Sequence, residues 1–273
     1  MSALYRICFD QVANRTRRYA DIRADDDFVL FATGGNARGE AFEADYDLVA
    51  VMTSHDERRR EFFDTVLAQM STALLFMGVM PHNRMASVSG HYVISIDQLQ
   101  KIVGASEPTA FIEMSEVLGV RRVSGSRLAE EEVEAKVINP LILDRADVFI
   151  PAMRNEISAR FEDQNRRPGA LLNVKEDPGG LRDIQMTLQC LRVHYGIRQP
   201  VTRLAITELT HRDATLLPPL ARMHDSLRFL QRLRDLYWLT VGPGDEIDPT
   251  RVDLVGWLLG YSDLDGLVDA LHR

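Results

Sequence analysis

Phe28-Val29-Leu30-Phe31-Ala32, then Gly34-Gly35-Asn36-Ala37-Arg38-Gly39-Glu40, then Asp45-Tyr46-Asp47-Leu48-Val49-Ala50-Val51-Met52 is the stretch on which the fold turns. The first run is short, apolar and ends at a glycine pair, which reads as a buried strand entering a tight loop. The last begins with alternation and becomes fully apolar, as expected of a central strand whose N-terminal end emerges at a site. Residues two apart on a strand share a face, so Asp45 and Asp47 present both carboxylates together while Tyr46 faces away. Two ionised carboxylates this close repel one another unless a cation sits between them. Mg²⁺ suits that place, because it takes oxygen ligands, often one or two carboxylates plus phosphate oxygens. Gly34 and Gly35 let the backbone come close to a phosphate and aim N–H groups at it.

Outward from this stretch, Leu4, Ile7, Cys8 and Val12 lie at helical spacing within an amphipathic segment, residues 4–22. Residues 56–77 form a long helix with an acidic start and Phe62, Phe63, Val66 and Leu67 on one face. A third strand is expected within residues 79–95, with Met85-Ala86-Ser87-Val88 and Tyr92-Val93-Ile94 as candidates. Ser95 followed by Gln98 is a capping box that opens the next helix. From about residue 126 strand signals cease. Helices are expected at 128–142, 148–161, 180–195, 217–241, 251–259 and 263–271, punctuated by Pro168-Gly169, Pro178-Gly179-Gly180 and Gly242-Pro243-Gly244. The fold class is therefore α+β: a small mixed sheet with helices over residues 1–130, followed by an all-helical domain over residues 131–273.

The chain has 273 residues, 45% of them hydrophobic, enough to bury one large core or two modest ones. A formal net charge of -8 gives no global field toward nucleic acid or anionic membrane. The longest apolar run, residues 73–80, is far short of the roughly 20 residues that span a bilayer, and the N-terminus lacks a signal core. A cytoplasmic protein is expected, with neither nucleic acid nor membrane as partner. Cys8 and Cys190 are expected to be reduced.

A second motif is Asn173-Val174-Lys175-Glu176-Asp177-Pro178-Gly179-Gly180-Leu181-Arg182-Asp183-Ile184-Gln185. Pro-Gly-Gly opens a helix, and Lys175 and Arg182 flank N–H groups at its N-terminus, an arrangement suited to an anion.

The glycine pair and Asp-x-Asp strand together resemble the polymerase-β type of nucleotidyltransferase. The second motif resembles the Lys-x-Gly-Pro-Gly-Gly-Leu-Arg-Asp-Ile-Gln signature of the bacterial nitrogen-control nucleotidyltransferases. These are the uridylyltransferases of the P-II signal protein and the adenylyltransferases of glutamine synthetase. Gly34 to Leu48 is similar to their Gly-rich, Arg-Gly-Glu, Asp-x-Asp-Leu segment, and Leu227 to Leu233 to a helix of their helical domain. The resemblance implies Mg²⁺-dependent transfer of a nucleotide monophosphate from ATP or UTP to a hydroxyl, usually a tyrosine of a partner protein. That partner would be a signal protein or a metabolic enzyme in nitrogen regulation. It further implies that Asp45 and Asp47 hold the metal and catalyse. Gly34, Gly35, Arg38, Glu40, Lys175, Gly179, Gly180 and Arg182 would bind the nucleotide, with Lys175 and Arg182 reaching it from the helical domain.

Ala44 stands where the family usually has serine, and Asp177 where it has glycine. The superfamily commonly supplies a third carboxylate from the next strand, yet residues 65–96 contain no Asp or Glu. The family register puts Asn83 there, with Arg84 beside it, and asparagine cannot act as a base. Glu113 or Glu116 could substitute from a helix. Otherwise the expectation is a catalytically weak or inactive nucleotide-sensing module. His55-Asp56 and His224-Asp225 invite a phosphohydrolase reading, but further ligands do not fall in step. Net acidity and few aromatics, 7%, argue against a polynucleotide polymerase. The uridylyltransferases usually continue into hydrolase and ligand-sensing domains, so this chain is expected to be a fragment or a minimal relative.

Overall fold

A computed structural model describes residues 1–22, 24–40, 45–105, 110–164, 172–261 and 266–267. The chain divides into two compact units, residues 1–149 with 196–205, and residues 150–195 with 206–273. The first holds a mixed sheet with helices, and among the described residues the second is helical apart from one short ribbon, so the α+β class holds. No helix among the described residues is long and apolar enough to cross a membrane.

In the first unit, α1 (Ser2–Arg15) precedes β1 (Phe28–Ala32), α2 (Gly34–Arg38) and β2 (Asp45–Met52). Next come α3 (Glu57–Phe76), β3 (Met80–Asn83), α4 (Ala86–Ser89), β4 (Val93–Ser95) and α5 (Ile96–Val103). After α6 (Ala110–Leu118) and β5 (Arg121–Gly125), α7 (Arg127–Val133) passes through a π-helical turn into α8 (Asn139–Leu141) and α9 (Ala146–Gln164).

The sheet runs β3-β2-β1-β5, with β4 also paired to β2. β1 is antiparallel to β2, Ala32 facing Leu48 and Phe28 facing Met52. β3 and β4 are parallel to β2 at its two ends. Alternation sends Leu48, Ala50 and Met52, with Phe28 and Leu30, into a core against α1 and α3. Val29, Phe31, Val49 and Val51 are buried on the opposite face. Cover on both faces is why β1 and the last five residues of β2 read as uninterrupted apolar runs. Phe28 stacks on Phe63 at 4.2 Å and on Tyr5 at 5.5 Å, and each such buried aromatic contributes about 1.5–3 kcal/mol. The Asp56 carboxylate accepts from the Arg58 and Arg59 N–H groups and starts α3. The Ser95–Gln98 capping box forms as the sequence predicts.

Two local expectations change. Tyr92-Val93-Ile94 contributes to β4, but Met85 to Val88 does not form a strand; Ala86–Ser89 is a helical turn ended by Gly90. The strand beside the start of β2 is Met80–Asn83, with no aromatic or β-branched residue and with Pro81 inside it. An edge strand tolerates proline because its outer N–H has no ladder partner to lose. The tight loop expected at the glycine pair is a helical turn, Gly34–Arg38, closed by Gly39 in the left-handed conformation.

In the second unit, β6 (Leu172–Asn173) pairs antiparallel with β7 (Glu246–Ile247), a ribbon too short to register as periodicity. α10 (Leu181–His194), α11 (Thr202–Arg212, whose residues 202–205 belong to the first unit), α12 (Leu217–Thr240) and α13 (Asp253–Leu259) complete the order. Val174, Leu233, Tyr237, Ile247, Val252, Val255 and Leu267 form this unit's core. The expected turn at Pro168-Gly169 and the departure at Ala44 lie outside the described residues; of the helix expected at 263–271 only residues 266–267 are described, and they are helical. Cys8 and Cys190 are free thiols.

Candidate active site

Asp45 and Asp47 lie at the N-terminal end of β2, where the strand leaves the core. The Asp45 side chain is 52% exposed and that of Asp47 16%, so Asp47 sits deeper. Thr33, fully buried, faces Asp47 across the sheet, and its N–H donates to the Asp47 carbonyl at 3.0 Å. The Thr33 hydroxyl lies 2.8 Å from Glu116 Oε2 and 2.9 Å from the Glu116 carbonyl oxygen, sharing its proton between them. This contact brings α6 to the acidic end of β2. Gly34 has φ +61, and a Cβ there would stand 2.5 Å from Asp47 Oδ2. Glycine is therefore required for both its conformation and its space.

β3 completes the cluster, and not through the residue the family register nominates. Leu48 pairs with Asn83 and Asp47 with His82. Strand alternation then turns Asn83 to the α3 face, where its Nδ2 lies 3.4 Å from Ser71 Oγ. Asn83 does not stand beside the aspartates. His82 and Arg84 do: His82 Nε2 lies 3.7 Å from Asp45 Oδ1, and Arg84 Nε donates to Asp47 Oδ1 at 3.0 Å. Burial alone would lower the pKa of Arg84, but Glu116, then Asp47 with its hydrogen bond, then Asp45 outweigh it and raise it. The cation that relieves carboxylate repulsion is thus present within the chain. Of the two helix carboxylates, Glu116 joins the cluster, and Glu113 lies one turn earlier on α6.

Arg38 and Glu40 pair with each other, Nε to Oε2 at 2.8 Å, and the Thr202 hydroxyl donates to Glu40 Oε1. Their charges close the α2 turn on itself. Asn36 Nδ2 donates to the Asp45 carbonyl at 2.9 Å and Arg121 to the Asn36 carbonyl at 2.8 Å, tying the turn to β2 and β5. Alternation along β3 was the sequence signal for His82 and Arg84, but it needs the strand to be placed first. Among the described residues, no three of His, Cys, Asp and Glu come close enough to hold a metal ion. The paired carboxylates still suit Mg²⁺, which commonly takes one or two protein carboxylates and completes its shell with water or phosphate oxygens.

The second motif lies in the second unit between β6 and α10, and its donors are not free. Leu181 N–H donates to Val174 O at 2.9 Å, Arg182 N–H to Lys175 O at 3.1 Å, and Gly180 N–H to Asp177 O at 2.8 Å. Gly179 N–H donates to the buried Asp183 carboxylate at 2.8 Å. Lys175 lies 3.5 Å from Asp245 and Arg182 2.8 Å from Glu176. A Cβ at Gly180 would meet three carbonyl oxygens at 2.7–3.0 Å, so the Gly-Gly pair permits a closed backbone knot. The anion-binding arrangement expected from free N–H groups gives way to internal hydrogen bonding. Burial raises the Asp183 pKa, opposed by the Gly179 hydrogen bond and Arg160.

The GlnD PII-uridylyltransferase family model matches residues 153–239, a stretch that includes the second motif. A "Bifunctional uridylyltransferase/uridylyl-removing enzyme" of Ectopseudomonas mendocina is 27% identical over 94% of this chain and 26% of its own length. A protein of the same name from Pseudomonas aeruginosa is 26% identical over 94% of the chain and 27% of its length. That of Pseudomonas syringae pv. tomato is 27% identical over 88% and 25%. The chain spans about a quarter of the length of these curated relatives. Over most of its residues this chain is thus similar, at modest identity, to bifunctional uridylyltransferase/uridylyl-removing enzymes, and residues 153–239 match the GlnD PII-uridylyltransferase family model.

Proposed function

We propose that the sheet unit catalyses nucleotidyl transfer, moving UMP from UTP to a tyrosine hydroxyl of a P-II-type signal protein in the cytoplasm. The observation that carries this is the Asp45–Asp47 pair on one strand face, beside a Gly34 turn that only glycine can make, in a chain whose relatives are named uridylyltransferases. Asp45 and Asp47 would hold Mg²⁺, which when bound neutralises triphosphate oxygens. The first turn of α2 brings backbone close to the phosphates. The acceptor oxygen forms a bond to the α-phosphorus, the bond to pyrophosphate breaks, and the hydroxyl proton passes to Glu116. Thr33 holds that carboxylate in place.

A second reading is favoured by one observation, the pairing of Arg84 with Asp47 in a cluster that, among the described residues, lacks three metal-ligating side chains. On that reading the site binds nucleotide and senses it without turnover.

A thermal-shift panel of UTP, ATP, CTP and GTP with and without Mg²⁺ tests the site, and release of pyrophosphate from UTP separates the two readings. Replacing both aspartates, Asp45→Asn with Asp47→Asn, should abolish Mg²⁺-dependent stabilisation by UTP. Because Arg84 already offsets the pair, this variant should not gain stability in the absence of metal. Retained UTP binding in the double variant would remove the site assignment.

A further inference from the structure

One guanidinium is paired with Asp47 and lies in the field of two further acidic residues, Asp45 and Glu116. Arg84 extends from the end of β3, its N–H fixed to the Leu48 carbonyl at 2.9 Å. Its Nε donates to Asp47 Oδ1 at 3.0 Å, and Asp45 and Glu116 act on the same charge. Asp45 and Asp47 arrive on β2, and Glu116 on α6 through Thr33, 83 residues away in sequence. A planar guanidinium with donors along two edges suits several carboxylates at once. Its neighbour His82, 3.7 Å from Asp45, adds positive charge only when protonated. A divalent cation approaching Asp47 meets a like charge already within hydrogen-bond distance of one of its two oxygens.

We propose that Arg84 is the resident cation of this site, occupying the place of one divalent ion and limiting Asp45 and Asp47 to a single metal that must compete with the guanidinium. Metal-free protein is thereby charge-compensated, and metal binds well only when nucleotide phosphates add negative charge to the cluster. UTP and Mg²⁺ would then bind interdependently, each raising the affinity for the other. Arg84 is a positioning residue here: it acts on the aspartates and on the metal they can hold. The inference rests on the reading of Asp45–Asp47 as a metal and nucleotide site.

The test is Mn²⁺ binding to the whole chain without nucleotide, followed by electron paramagnetic resonance, in wild type, Arg84→Gln and Arg84→Lys. Glutamine removes the charge and should raise Mn²⁺ affinity by about tenfold or more, the size of one like-charge contact removed near a surface. Lysine keeps a point charge without the fork and should fall between the two, which preserves the test if the glutamine variant fails to fold. Adding UTP should raise Mn²⁺ affinity more in wild type than in either variant. Equal Mn²⁺ affinity in wild type and the folded variants would overturn the proposal even if Mg²⁺-dependent UTP binding stands. A gain in Mn²⁺ affinity with no UTP binding in any form would leave Arg84 as resident cation and overturn the nucleotide reading instead.

Discussion

Gly34→Ala is the substitution for which the structure sets the sharpest expectation. An alanine at φ +61 enters the left-handed region at a cost of about 1–2 kcal/mol. Its Cβ would also sit 2.5 Å from Asp47 Oδ2, where an unstrained C···O approach is about 3.3–3.6 Å. The carboxylate must therefore retreat by roughly 1 Å, breaking its 3.0 Å hydrogen bond from Arg84. That partly exposed pair is worth no more than about 1 kcal/mol. The total, about 1–3 kcal/mol, should lower the melting temperature of the sheet unit by roughly 2–12 °C. Gly39→Ala supplies the control. Gly39 has φ +74, but among the described residues its Cβ would meet only Val201 Cγ1 at 3.7 Å, an ordinary contact. It should pay the backbone strain alone and melt within a few degrees of Gly34→Ala. Calorimetric titration with Mg²⁺ and UTP separates the two. Gly34→Ala should lose binding, because the carboxylate that holds the metal has moved, while Gly39→Ala should keep it. Equal retention in both variants, or equal loss, would refute the coupling between the Gly34 turn and Asp47.

Glu116→Gln keeps the acceptor for Thr33 while removing the proton acceptor, so pyrophosphate release should fall about 10²–10⁴-fold with UTP affinity retained; unchanged turnover would place the base elsewhere. Asp183 carries a pH signature opposite to that of most carboxylates. Its folded pKa is raised above the ordinary 3.8, chiefly by burial, so its contribution is fully present below that value and is lost as pH rises through the folded one. Asp183→Asn, neutral throughout, should lose less stability than wild type between pH 4 and 7 in urea melts, and parallel curves would contradict this. Asp183→Ala removes the acceptor of the Gly179 N–H and the partner of Arg160 and should cost about 1–3 kcal/mol.

What the sequence determined by itself is what short-range geometry enforces. Alternation along residues 45–52 places Asp45 and Asp47 on one face and Leu48, Ala50 and Met52 in the core, as the structure has it. Helical spacing marks α3 by Phe62 and Phe63, and Ser95 with Gln98 marks the start of α5. Tertiary structure alone decided who stands beside the aspartates. Pairing along a strand repeats every two residues, so placing β3 one residue away exchanges faces; Leu48 opposite Asn83 sends Asn83 to Ser71 and leaves His82 and Arg84 at the site. That register is set by packing against α3, and a proline-containing edge strand carries little trace of it. Glu116 reaches Thr33 only because α6 packs over the sheet, a contact between residues distant along the chain. The second motif shows the converse, since its residues are local but their hydrogen-bond partners are not legible from spacing. Lys175, Gly179 and Arg182 read as a cradle for an anion, and the folded backbone turns their N–H groups and charges onto Asp183, Asp245, Glu176 and one another.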